Sequence, residues 1–433
     1  VGCDSSAGTV VTGLALEDRD RAVLRGESGR ARQLAMEIVV EMAEALGAPR
    51  LVDVESAHVD GCLAIGHVSL DFPELLVSNG GRVCVPTTLN VSSLDLLHPD
   101  LSERDADTRD LARGIMDAYV ALGCQPTWTC APYLLEDRPS FGSQIAWAES
   151  NAIVFANSVL GARTNRYGDF FDICAALTGR VPYVGLHVTE NRRAQAIFRL
   201  GGLSDELLAS ETLYPVLGSL VGDMTGTLVP AIVGVPASVT EDQLKAFGAA
   251  AASSGAVALF HAVGVTPEAP TLEAALAGHA PVLEIEVTLG ALNAARDTLS
   301  THTSGLLTAI CVGTPHFSRT EFADLRRLFG GRRVHDSVRF YASTGRQTYT
   351  ELAERGWLAE LEALGVVIVA DTCTYVRPFF DFGAGTVMTN SAKWAYYAPM
   401  TVGVDVTFGS LAACVESAVA GRLERDDELW QPT

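Results

Sequence analysis

A multi-domain α/β protein built on parallel sheets is what the sequence predicts, and three observations carry that prediction. The chain has 433 residues, more than one ordinary core accommodates, so two or three domains are expected. In its last third, short apolar runs alternate with amphipathic stretches of helical period, the order of a parallel sheet with helical crossovers. Most of these apolar runs also end in residues of reactive type, at the strand end where open α/β sheets bind ligands.

The elements can be justified in chain order. Residues 1–14 (VGCDSSAGTVVTGL) contain a Gly turn and a strand-like run, with no basic segment ahead of an apolar core of the kind a signal peptide has. Over 26–47, Ala31, Leu34, Ala35, Ile38, Val39, Met42 and Leu46 fall on one helical stripe. Strands are predicted at 51–54 and 82–85, and a helix at 111–122 with Leu111, Ile115, Tyr119 and Leu122 on one face. Residues 246–265 carry no Asp, Glu, Lys or Arg and match a membrane span in length. Their Ala, Ser and Gly content, with His261 near the end, instead predicts a helix end, a Gly turn and a buried strand. Strands follow at 307–312, 337–341, 366–370, 385–388 and 404–408, and helices at 321–329, 349–364 and 411–422. The expected division is a short tail (1–20) and two α/β regions, 21–235 and 236–433.

Composition excludes several function classes. The formal charge is −21, from 31 basic and 52 acidic residues, and no basic run exists to contact phosphates, so nucleic acid is not an expected partner. A small anionic substrate remains compatible, because a pocket on an acidic protein can be locally positive. Nine scattered cysteines make no disulfide framework. Reduced thiols, a cytoplasmic location and no membrane association are expected.

The strand ends supply the candidates. One loop reads Cys311-Val-Gly-Thr-Pro-His316, another Asp371-Thr-Cys373, a third Asn390-Ser391-Ala392-Lys393. In the first half, Ser56-Ala57-His58 follows one strand and Pro86-Thr87-Thr88-Leu89-Asn90 another. These loops converge if the sheets face each other. Cys130 lies in a Pro- and Thr-bounded loop, whereas Cys84, Cys174 and Cys414 sit in apolar runs and read as packing. Each lone Cys or His is compatible with an inert packed or hydrogen-bonded role, and no CxxC is present, so spacing alone leaves a metal site open. Asn157, Arg163 and Arg166 offer a fork for a carboxylate, or equally cap a helix and face solvent.

The strings SAHVDG, VPTTLN, TWTCAPY, FGSQIAWAESNAIVFANSVLGARTNR, ALFHAVGVTPEAP, ICVGTPHFS, ADTC and TNSAKWAYYAP occur in this order from about residue 21 onward. Together they resemble the large subunit or domain of aconitase X, a divergent branch of the aconitase superfamily. The resemblance implies an aconitase-like architecture whose parallel sheets face a central iron–sulfur site held by Cys130, Cys311 and Cys373. It implies a hydro-lyase acting on a small hydroxy acid. Relatives often carry Gly-Cys-Pro-His where this chain has Gly313-Thr314-Pro315-His316. That departure, with Gly168-Asp-Phe-Phe-Asp172 and Tyr375-Val-Arg-Pro-Phe-Phe380, is similar to the branch acting on cis-3-hydroxy-L-proline, associated with a [2Fe–2S] cluster. The other branch acts on mevalonate 5-phosphate, and a [4Fe–4S] cluster is the alternative. The expected catalytic groups are His58, His316 and Lys393. The expected substrate pocket draws on Ser56, Thr87, Thr88, Asn90, Asn157, Arg163, Arg166 and Ser391. A small swivelling domain or subunit is the expected partner, with 1–14 resembling its trailing edge. A metal-free α/β enzyme using Lys393 or His58, and a non-catalytic binding protein, are the competing classes.

Overall fold

A computed structural model describes residues 13–101, 106–376 and 382–431. The turn and strand expected within residues 1–14 lie almost wholly outside them, as does most of the 375–380 stretch.

The first region contributes β1 (Leu51–Asp53), β2 (Ala57–Val59), β3 (Thr87–Leu89), β4 (Ala146–Trp147) and β5 (Arg180–Pro182). β1 and β5 form an antiparallel pair, while β3-β2-β4 form a parallel sheet. The second region contributes β6 (Ala196–Arg199), β7 (Pro230–Val233), β8 (His261–Ala262) and β9 (Leu283–Glu286), a parallel sheet in the order β8-β7-β6-β9. The third adds β10 (Leu307–Val312), β11 (Arg339–Ser343), β12 (Val366–Val369), β13 (Thr386–Thr389) and β14 (Asp405–Phe408), parallel in the order β12-β11-β10-β13-β14. The α/β class with parallel sheets is thus as expected.

A boundary at 235 would separate β7 from β8, which pair within one sheet, so the described chain folds as three regions where two were expected. The strand expected at 82–85 is also displaced: the ladder forms at Thr87–Leu89, where the backbone pairs with β2. The helix expected over 349–364 is two helices, Arg346–Glu354 and Trp357–Ala363, broken where Gly356 takes φ +70°. On the first long helix, Arg30–Ala45, Ala31, Ala35 and Val39 are buried, but Met42 and Leu46 of the expected stripe are exposed. Cys84 is exposed, whereas Cys174 and Cys414 are buried packing residues as expected.

One helix holds the regions together. Glu241–Ser254, the start of the charge-poor segment, packs against Leu213–Thr225, Ser150–Phe155 and Ala392–Thr401. A single apolar cluster accordingly includes Val154, Leu217, Phe247, Phe260, Trp394 and Val406. The crossing with Leu213–Thr225 is close because Gly218 and Gly222 face it: a Cβ at Gly218 would lie 2.3 Å from the Phe247 carbonyl oxygen. Among the described residues, no helix is long and apolar enough to cross a membrane.

Candidate active site

The three-stranded and five-stranded sheets present their carboxyl ends to a common space. In the first region, β2, β3 and β4 run in register, with His58 opposite both Thr88 and Trp147. Side chains alternate along a strand, so the next residues on that face are Asp60, Asn90 and Glu149, one at the end of each strand. Asn90 Nδ2 donates to Glu149 Oε2 at 3.1 Å and to an Asp60 carboxylate oxygen.

From the five-stranded sheet come the loops after β10 (Thr314, His316), β12 (Asp371, Cys373) and β13 (Ser391, Lys393). The loop carrying Cys130 reaches between the sheets. Cys130 and Cys373 place their Sγ atoms 3.9 Å apart, and with His316 their ligand atoms all lie within 4.8 Å of one another. All three residues are buried, and none of the eight described cysteines is in a disulfide. The His316 N–H donates to Cys130 Sγ at 3.3 Å, and Asn151 Nδ2 donates to the Cys130 carbonyl at 3.0 Å. Burial opposes a thiolate at Cys130. The hydrogen bond from Cys373, the charge of Lys393 and the His316 N–H outweigh it and bring that thiol below its ordinary value. Cys373, as donor to Cys130 and itself buried, is pushed well up.

The imidazole of His316 is fully committed. The Ala131 N–H donates to Thr129 Oγ1, which in turn donates to His316 Nδ1 at 3.0 Å. Nε2–H then donates to the Thr372 carbonyl at 3.2 Å. Burial depresses the His316 pKa to about 4, so the ring is neutral and positions the loop. From behind, Lys245, paired with Asp242 and Glu321, donates to the His316 carbonyl. His58 Nδ1 meets Thr88 Oγ1 at 2.8 Å, its Nε2 has no partner, and burial lowers its pKa to about 3.

Lys393 and Glu149 form a buried ion pair that joins the two sheets. Burial disfavours the Lys393 ammonium, but Glu149, Tyr375 and Cys130 more than offset this and hold its pKa well above the ordinary value. For Glu149 burial is again outweighed: the Lys393 charge and hydrogen bond, with those of Asn151, bring it down to about 2. Ser391 caps the helix bearing Lys393 and donates to the Thr314 carbonyl, while Thr314 Oγ1 is buried without a partner. Backbone strain concentrates here. Trp128, Glu149, Phe170 and Asp371, all non-glycine residues with φ between 44° and 72°, flank the loops described.

Several expected residues are not brought to this group. Cys311 packs into the core with its side chain beside Thr374, outside the Cys130–His316–Cys373 group. Ser56 lies at the amino end of β2, opposite Asp60. Thr87 bonds back to the Val85 carbonyl. Asn157 is consumed by Thr164, Arg192 and Ala258; Arg163 Nη1 donates to the His187 carbonyl and Thr189, with its Nε buried and unpartnered, while Arg166 is exposed. Sequence reasoning passed over Asp60 and did not assign Glu149. The signal was present in the strand period, since each lies two residues beyond a singled-out or buried ring residue on one sheet face.

Residues 13–190, 194–297 and 307–420 match the family models of the aconitase X first, second and third domains. The chain belongs to the aconitase X family. This aconitase X chain is 45% identical over 418 residues to a cis-3-hydroxy-L-proline dehydratase of Pseudomonas aeruginosa, a match covering 96% of the chain and 72% of that relative. A cis-3-hydroxy-L-proline dehydratase of Hypocrea jecorina is 42% identical, with 95% and 70% covered. The phosphomevalonate dehydratase large subunit of Methanothermobacter thermautotrophicus is 37% identical, with 91% and 96% covered. Among solved structures, holo-form aconitase X of Thermococcus kodakaraensis superimposes with a TM-score of 0.83 at 31% identity, over 93% of this chain and 100% of that one.

Proposed function

We propose that this aconitase X chain is the catalytic part of an iron–sulfur hydro-lyase that removes water from cis-3-hydroxy-L-proline, giving Δ1-pyrroline-2-carboxylate. One observation carries the proposal: two buried, unbridged thiols 3.9 Å apart stand beside a buried carboxylate–ammonium pair. A site that only bound a solute has no need of paired thiols. The choice of substrate follows the higher identity to the two hydroxyproline dehydratases.

The donor set fits a cluster. Cys130 and Cys373 would hold it, and Thr314 Oγ1, buried and without a partner, belongs to a loop joined to theirs through His316. A [2Fe–2S] cluster suits a site with two thiols and a Thr at 314. When bound, it supplies Lewis acidity toward the departing C3 hydroxyl. The reaction is a β-elimination in which the C2 proton and the C3 hydroxide leave as water, and the resulting enamine tautomerises to the cyclic imine. Lys393, kept an ammonium by Glu149, is not the base. Its charge stabilises the carboxylate side of the substrate as negative charge builds there. His316 and His58, both neutral, position the Cys130 and Thr88 loops.

The reading extends to a partner and a location. A small swivelling domain would close over the strand-end loops and exclude water, and reduced thiols suit the cytoplasm. Anaerobic purification followed by absorbance, EPR and iron analysis should show a cluster, and turnover should be seen with cis-3-hydroxy-L-proline and not with mevalonate 5-phosphate. Adding the small domain should raise the rate. Iron-free protein with full activity, or turnover of the phosphorylated compound alone, overturns the assignment.

A further inference from the structure

Next to the thiols lies a second set of polar groups that the proposed elimination leaves unused. Asp60, at the end of β2, and Asp172, in the first turn of Phe171–Thr178, are joined by the Asp60 N–H, which donates to Asp172 Oδ2 at 2.6 Å. Asp169 stands exposed beside them, Asp60 is half-buried and Asp172 is fully buried. The charges acting on all three come from other carboxylates, including Glu149, and no ion pair among the described residues gives them a basic partner. Lys393 is paired to Glu149 and to none of the other three carboxylates among the described residues.

An independent observation says what the cluster lacks. Asn90 is 1% exposed, and its amide nitrogen is spent on Asp60 and Glu149, which fixes the orientation of the carboxamide. Its Oδ1, on the same planar group, is buried and has no partner. A buried acceptor without a donor keeps its desolvation penalty, so such atoms mark a place where a donor arrives. Beside it the buried Tyr119 hydroxyl, facing Asp172 and Asp169, is also without a partner and can accept a hydrogen bond, and a small N–H-bearing cation complements these oxygens.

We infer that Asp60, Asn90 and Asp169, backed by Asp172, form the subsite for the ring ammonium of an amino-acid substrate. This deepens the dehydratase reading and rests on it. Glu149 joins the two sites: one oxygen meets Asn90 and the other Lys393, whose charge acts on Cys130. In cis-3-hydroxy-L-proline the nitrogen is bonded to C2 and the hydroxyl to the adjacent C3. The same carboxylates repel a phosphorylated hydroxy acid that has no nitrogen, so they select against it as well as for the amino acid. Burial and neighbouring carboxylates raise the pKa of Asp60 and Asp172, as befits a cluster without its cation.

The test uses the cluster-loaded protein with Asp60→Asn, Asp169→Asn and, as a surface control, Asp71→Asn. Iron content and thermal midpoint establish that each variant is folded. For Asp60→Asn, KM for cis-3-hydroxy-L-proline should rise ten-fold or more, with a smaller change in kcat. Wild type should be inhibited at least ten-fold more tightly by L-proline than by cyclopentanecarboxylate, which has the ring and the acid but no nitrogen, and Asp60→Asn should lose that preference. Wild-type turnover with unchanged KM and unchanged preference in Asp60→Asn and Asp169→Asn overturns the subsite while leaving the dehydratase reading intact. A strict requirement for sodium or potassium, abolished by Asp60→Asn with the proline preference intact, makes this an inorganic cation site and also overturns it. Failure of wild type to turn over hydroxyproline removes both readings.

Discussion

Replacing Lys393 by Met removes the cation from a pair whose side chains are 2% and 8% exposed and leaves the Glu149 carboxylate buried with only neutral donors from Asn90, Ser150 and Asn151. Breaking a buried pair from one side costs about 3–5 kcal/mol, because the remaining charge keeps its desolvation penalty. The titration of Glu149 gives a similar figure. Its folded pKa of about 2 lies below the ordinary 4.5, so its carboxylate contributes stability that is present above pH 4.5 and lost as pH falls through 2. At 1.36 kcal/mol per unit this is about 3 kcal/mol. Unfolding entropy of about 2.1 cal/mol/K per residue corresponds, for a chain this long, to about 0.9 kcal/mol per kelvin. Lys393→Met should therefore lower Tm by about 3–5 °C at pH 7, and Glu149→Gln by a comparable amount. The double variant should recover most of the loss, since two neutral groups of similar shape carry no stranded charge. Calorimetry on the four proteins closes the cycle. Additive single and double losses, or single losses below about 1 °C, refute the view that this pair clamps the two sheets together.

Three other outcomes follow from the geometry. Cys130→Ser and Cys373→Ser should each lose iron and visible absorbance, whereas Cys311→Ser should retain the cluster at a packing cost only; iron retained in the first two removes the ligand assignment. Burial, reinforced by Asp169 and opposed by backbone N–H donors from Asp60, Ile173 and Gly61, raises Asp172 from 3.8 to about 7, with Asp60, Tyr119 and Cys62 also facing it. Its stabilising contribution is full below pH 3.8 and fades as pH rises through 7, so Asp172→Asn should gain about 3 kcal/mol on wild type between pH 5 and pH 8; a Tm difference independent of pH refutes this. Gly218→Ala places a methyl against the Phe247 carbonyl and should cost about 1–3 kcal/mol in thermal denaturation, while Gly201→Ala, in open space, should cost far less.

The third region was the most legible, because β10 and β12 are continuous apolar runs whose ends are unambiguous. β3 (Thr-Thr-Leu) and β4 (two residues) have no such signature; their existence is decided by pairing with β2, which no local pattern encodes. The cysteines show the same limit. Cys373 sits on the loop after β12 and Cys130 on the loop after the helix Ala106–Ala121, whereas Cys311 is the fifth residue of β10, and the sheet turns its side chain into the core. The polar density around Asn157, Arg163 and Arg166 read as a carboxylate clamp, yet a buried hydrogen-bond network produces the same composition: Asn157 and Arg163 tie loops together, and Arg166 is exposed. Glu149 and Asp60 carry no motif at all. They emerge only when strand period and sheet register are combined.

The partners in this site are far apart along the chain, with Cys130 and Cys373 separated by 243 positions and Glu149 and Lys393 by 244. A ribosome adding about 5–20 residues per second takes roughly 12–50 s to travel from the first thiol to the second. Through that interval the Cys130 thiol is on the nascent polypeptide without Cys373, and the Cys130–His316–Cys373 group is incomplete. On the proposed reading, a metal group can be held here only after Cys373 has been added to the chain.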